Sequence, residues 1–129
     1  AAYTEAGSNR RIKGNIAIQV EELGSQPVVG FENHSGRTFL KEASPLGQVI
    51  YGDGNNGSDK TEGARYRNAI GTYLHGPLLS KNPHLADFLL RLALQRRYGE
   101  VELPPLDDSL EMAANENIYR RFLATKGKW

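Results

Sequence analysis

His75 stands between an apolar run, Ala69 to Leu74, and the turn pair Gly76-Pro77. An imidazole at the end of a strand can take a proton and hand it on near neutral pH. Open α/β folds place their chemistry at such strand ends. The plainer alternative is a ring that only ties down a loop. A second cluster, GFENHSGRT at 30–38, sets Glu32, Asn33, His34, Ser35 and Arg37 directly after a short apolar run. Amides, a hydroxyl and charges packed this closely can bind a small polar ligand. Composition alone favours an Asx-type turn with solvated side chains.

A third cluster, Asp53, Asn55, Asp59 and Glu62, has the residue types of a calcium loop. The spacing fails, because Ser58 stands where the loop needs glycine and Ala64 where it needs a bidentate acid. The stretch reads as a glycine-rich turn. The histidines at 34, 75 and 84 lack zinc spacing. His84 is expected on the surface. Neither a Walker loop, a GxGxxG after a strand nor a GxSxG elbow occurs. No metal or cofactor is therefore expected. The 129 residues include no cysteine, so the sequence offers neither disulfide nor thiol nucleophile.

The elements that must carry these groups are partly legible. Residues 1–14 are polar and glycine-containing and read as a loop or tail. Asn15 to Val20 alternates, with Ile16, Ile18 and Val20 on one face of a strand. Val28 to Phe31, Gln48 to Tyr51 and Ala69 to Leu74 are further short strands. Gly52 to Gly63 is an extended turn. Asn82 can cap a helix with Pro83 in its first turn. Leu85, Phe88, Leu89, Leu92 and Ala93 give that helix an apolar stripe, which Leu90 and Leu94 widen toward full burial. Gly99 can end it. A second helix is expected from about Asp108, with Glu111 completing a capping box and Leu110, Ala114, Ile118 and Phe122 as its stripe. Strands followed by helices suit part of an α/β domain or a small α+β domain. So few strands would leave a sheet edge open.

Composition excludes little else. Hydrophobic residues make up 39% and charged residues 24%, and the net charge is +1, so no basic field points to nucleic acid. No apolar run is long enough for a membrane span.

Four segments in order carry a resemblance: KGNI at 13–16, GFENHSGRT at 30–38, YGDGNNGSDKTEGA at 51–64 and GTYLHGPLLSKNP at 71–83. Together they resemble the CobB/CobQ-like class I-type glutamine amidotransferases, over about residues 10 to 97. GFENH followed by GNNG favours the branch that works beside a Mur-ligase-like synthetase subunit to amidate the D-glutamate of lipid II in peptidoglycan synthesis. The cobyric and cobyrinic acid amidating branch is the alternative. A non-catalytic binding module that kept the fold is a third reading, from another class.

The resemblance implies a fold: the C-terminal half of a flavodoxin-like, three-layer α/β domain, spanning residues 1–129. It also implies glutamine as substrate, a cytoplasmic location, and a cysteine nucleophile in an N-terminal half preceding Ala1. In such enzymes a thiolate attacks the glutamine side-chain amide and a histidine shuttles the proton. His75 matches that histidine. Asn33, His34 and Ser35 lie where relatives hold the amino-acid end of glutamine. Many class I relatives carry a glutamate two residues after the histidine, where this chain has Pro77. The resemblance then assigns any third acid to the partner subunit. Without a thiol, the 129-residue chain alone is expected to be inactive.

Overall fold

The computed structural model describes residues 1–7 and 9–125. Ser8 and residues 126–129, which fall within the expected 1–129 domain, lie outside the described residues. The alternating segment becomes the central strand β2, which follows strand β1 (Ala2–Glu5) and runs Ile12–Gln19. Beside it lie β3 (Val28–His34) and, after a short strand β4 (Arg37–Leu40), β5 (Gly47–Tyr51) and β6 (Thr61–Glu62). The sheet order is β3-β2-β5-β6, and every pairing in it is antiparallel. Register sets Ile16 against Gly30 and Ala17 against Val29.

Both faces of this sheet are covered. Helix α1 (Pro83–Tyr98) sets Leu85 and Phe88 against Ile16, Ile18, Val20 and Val28. Helix α2 (Ser109–Thr125) sets Phe122 against Ala17 and Val29 on the other face. This explains why Ala17 is as fully buried as its neighbours Ile16 and Ile18. The result is a three-layer α/β arrangement, the fold class expected from the sequence. Each large apolar side chain buried in it contributes roughly 1.5–3 kcal/mol.

Several expectations are corrected. The first residues are not all loop: β1 pairs with β4, and Tyr3 stacks on Phe39 at 5.4 Å. β3 continues through His34, so the GFENH residues lie within a strand rather than after it. The strand expected at 69–74 stops early, as β8 (Ala69–Gly71), which pairs with β7 (Ala64–Tyr66). The far half of α1 is not buried, since Leu90 is exposed where no layer covers it. The buried line of α2 runs through Asn115, Ile118, Tyr119 and Phe122, and Leu110 is exposed. A polar residue, Asn115, occupies the centre of that face, which the apolar periodicity could not register.

The side chain of Asn82 does not cap α1. Its amide instead accepts the Val29 N–H at 2.8 Å and donates to the Val29 carbonyl at 2.8 Å, on the outer edge of β3. Asn115 locks this amide by donating to Asn82 Oδ1 at 2.9 Å and to the carbonyls of Pro27 and Lys81 at 3.0 Å. One buried amide cluster therefore ties β3, the start of α1 and α2. It also answers the open-edge problem, because side chains satisfy the backbone groups that a further strand would take.

Candidate functional site

The outer edge of β3 carries the site. Next along it, Phe31 and His75 exchange both backbone hydrogen bonds, His75 N–H to Phe31 O at 2.8 Å and Phe31 N–H to His75 O at 3.3 Å. His75 is thus a single-residue bridge, four residues beyond the end of β8. Its ring lies 5.3 Å from that of Phe31. The side chain is exposed, and neither ring nitrogen has a hydrogen-bond partner among the described residues. The backbone is held and the imidazole is left exposed.

Gly30 makes this approach possible. A Cβ there would sit 2.8 Å from the His75 carbonyl oxygen and 3.0 Å from a Leu74 methyl. Glycine is the residue that lets two backbones come this close.

The other expected site residues separate by strand alternation. Phe31 and Asn33 share one face of β3, the face on which Val29 meets α2. Asn33 is exposed, and its side-chain oxygen accepts from Arg11 Nε at 2.6 Å. Ser35 is exposed in the turn into β4, and its carbonyl accepts from Arg37. His34 leaves the opposite face and is buried. Its Nδ1 lies 2.9 Å from the Gly36 carbonyl, and its ring stacks on Tyr73 at 3.7 Å and 3°. Nε2 lies 3.6 Å from Glu32, too far for a hydrogen bond. His34 therefore joins β3 to the segment before His75, while Asn33 and Ser35 face outward. No side-chain hydrogen bond joins His75 to any of the three among the described residues.

Sequence reasoning missed two buried acids below this surface. Glu32 accepts the N–H groups of Asp53 at 2.7 Å and Gly54 at 2.9 Å, anchoring the glycine-rich turn. Burial raises its pKa; those two bonds and the His34 charge oppose the rise, and Asp53 adds to it. Glu62, wholly buried in β6, accepts the Tyr73 N–H at 2.6 Å and the Thr72 hydroxyl at 2.9 Å. Burial pushes its carboxyl up to about 7, with a contribution from the Glu32 charge and against the bonds from Tyr73 and Thr72. Both acids sat in segments read as polar turns, and nothing local in the sequence marked them as buried. Asn56 and Asp59 are engaged in holding the turn: Asn56 Oδ1 accepts from Ser58 and Asp59, Asn56 Nδ2 donates to the Thr38 carbonyl on β4, and Asp59 accepts from Thr61. His84, expected on the surface, is half-buried against the Pro27 carbonyl at 3.1 Å, and burial lowers its pKa.

Two concavities frame the choice of site. A cleft of ≈ 690 Å³ lies along Gln19, Glu22, Ser44 and Arg65, where Glu22 and Arg65 pair with each other. It contains none of the expected site residues. A smaller groove, ≈ 340 Å³, opens between β3 and α2 and is lined by Asn15, Phe31, Arg121 and Phe122. Phe31 lines this groove and carries His75 on its edge.

The family model for the CobB/CobQ-like glutamine amidotransferase domain matches residues 1–83, which include β3 and His75. The chain belongs to that family. The GatD subunit of the glutamine-hydrolysing lipid II isoglutaminyl synthase of Streptococcus pneumoniae is 45% identical over 116 residues, 88% of this chain and 44% of that protein. The corresponding subunit of Staphylococcus aureus is 43% identical over 119 residues, 92% of this chain and 47% of that protein. A probable cobyric acid synthase of Methanothermobacter thermautotrophicus is 35% identical over 113 residues, 88% of this chain but 21% of that protein. The chain thus spans about half the length of the first two relatives. No described helix is long and apolar enough to cross a membrane.

Proposed function

We propose that this chain is the C-terminal portion of a glutaminase domain and that His75 is its catalytic base. The observation that carries the reading is the His75 geometry: backbone bolted to the edge of β3, ring exposed with unbonded nitrogens. In this reading a cysteine from a segment outside this chain supplies the thiol. His75 takes the thiol proton, and the thiolate attacks the side-chain amide carbon of glutamine. The tetrahedral oxyanion collapses, the C–N bond breaks, and His75 returns the proton to the departing ammonia. Water then cleaves the glutamyl thioester, giving glutamate and regenerating the thiol. Asn33 and Ser35 contact the amino-acid end of glutamine, and His34 contributes by holding the turn between them. Pro77 cannot orient the imidazole, so any third acidic group comes from elsewhere, in this reading from the partner subunit.

The ammonia serves a Mur-ligase-like synthetase subunit that amidates the D-glutamate of lipid II, on the cytoplasmic side. Identity of 45% and 43% to lipid II isoglutaminyl synthase subunits, against 35% to the cobyric acid synthase, supports that acceptor over a corrin acid. In the full-length protein, His75→Ala is expected to lower glutamine-dependent ammonia release by about 10²–10⁴-fold. Binding to the synthetase, measured by co-purification, should persist. Ammonia release at the wild-type rate would remove His75 from the mechanism. Amidation of a corrin acid but not of lipid II by the reconstituted pair would replace the acceptor.

A further inference from the structure

The segment that carries His75 has little regular structure to hold it. β8 ends at Gly71, and Thr72, Tyr73 and Leu74 lie outside every strand. Their hydrogen bonds go instead to side chains. Glu62 takes the Tyr73 N–H with one carboxylate oxygen and the Thr72 hydroxyl with the other. Thr72 Oγ1 in turn accepts the Leu74 N–H at 3.0 Å. The next residue is His75. Tyr73 is clamped further by its stack on His34 and by its hydroxyl, 2.9 Å from Thr38 Oγ1. A wholly buried acid on β6 is thus two hydrogen bonds from the backbone of the free imidazole.

We propose that Glu62 is a positioning residue for His75: its carboxylate fixes the Thr72–Leu74 segment, and so the place of the imidazole over Phe31. The inference rests on the reading of His75 as the base. Glu62 touches neither the His75 ring nor the exposed face, so it acts through Thr72 and Tyr73. Without it, the Tyr73 N–H and the Thr72 hydroxyl lose their acceptor. The Phe31 bridge, the Tyr73 contacts with His34 and Thr38 and the buried Leu74 side chain then hold the segment without the carboxylate, and a displacement of about 1 Å is enough to cost on the order of a hundredfold in rate.

The test uses the full-length protein with its synthetase and compares Glu62→Ala, Glu62→Gln, Thr72→Val and His75→Ala. Glu62→Ala should lower kcat for ammonia release about a hundredfold while KM for glutamine stays within about twofold. Glu62→Gln should recover most of the loss, because the amide oxygen still accepts the Tyr73 N–H and the amide nitrogen can donate to Thr72 Oγ1. Thr72→Val, at an exposed position, should fold and lower kcat. Unchanged kcat in Glu62→Ala overturns the proposal, and so does an equal loss in Glu62→Ala and Glu62→Gln. If Glu62→Ala does not fold, Thr72→Val decides: a lower kcat in the folded variant supports the role, and an unchanged one overturns it. His75→Ala separates the two readings. Full turnover in that variant sinks the base assignment itself. Lost turnover there, with normal turnover in the Glu62 and Thr72 variants, sinks the positioning role alone.

Discussion

At the scale of single residues, burial and hydrogen bonding pull Glu62 in opposite directions. The carboxyl is moved from an ordinary 4.5 up to about 7, chiefly by loss of water. Between those values the folded protein holds a proton that the unfolded chain has released. Stability from this group is therefore present at low pH and is lost as pH rises through the window, by roughly 1.4 kcal/mol per unit at most. Glu62→Gln cannot ionise. Its thermal midpoint relative to wild type should rise between about pH 4.5 and about pH 7 and level off above. An offset that stays flat across that range would count against the buried carboxyl as the cause. His75 differs in kind, since its side chain is exposed and the role proposed for it is in the chemistry rather than in folding.

At the scale of elements, β3 does two tasks at once. Its inner edge pairs with β2, and its outer edge is closed by the Asn82 amide at Val29 and by His75 at Phe31. Gly30→Ala tests that closure. The added methyl meets the His75 carbonyl and Leu74 at 2.8 and 3.0 Å, so it should push the bridge away. The expected cost is about 1–3 kcal/mol of stability, read from denaturant unfolding, with a fall in ammonia release from the full-length protein. Asn115→Ala tests the amide cluster. It removes the donor to Pro27, Lys81 and Asn82 and leaves buried acceptors unpaired. A loss of about 1–3 kcal/mol is expected, with little change in KM because Asn115 is wholly buried. A KM shift with unchanged stability would mean that Asn115 reaches the substrate site.

At the scale of the whole molecule, one helix per face gives this chain a core of its own. Leu85 and Phe88 close one side of the sheet and Phe122 the other. Both faces of the sheet are therefore covered. The proposed chemistry is less self-contained, since the 129 residues hold no thiol. The purified 129-residue chain should release no ammonia from glutamine above the buffer background in a coupled assay. Turnover by this chain alone would rule out the cysteine mechanism.

The sequence by itself determined the central strand, because Ile16, Ile18 and Val20 alternate and alternation reports burial directly. It determined α1 through Pro83, Leu85 and Phe88, and it marked His75 and the absent cysteine by residue type. Tertiary structure alone decided the rest, and the reason is the same in each case. The roles of Asn82, Asn115 and Glu62 depend on partners far away in the chain: Val29 for Asn82, Pro27 for Asn115, Tyr73 for Glu62. A polar side chain looks solvated until packing supplies its partner. Periodicity counts apolar residues, so it placed α2 on a stripe through Leu110 and Ala114 instead of through Asn115. The apparent strand at 69–74 failed because the Glu62 carboxylate took the Tyr73 N–H and the Thr72 hydroxyl oxygen took the Leu74 N–H, backbone donors that a ladder would have used. Residue type made His75 a candidate base, and the fold supplied the neighbours that hold its backbone and leave its ring exposed.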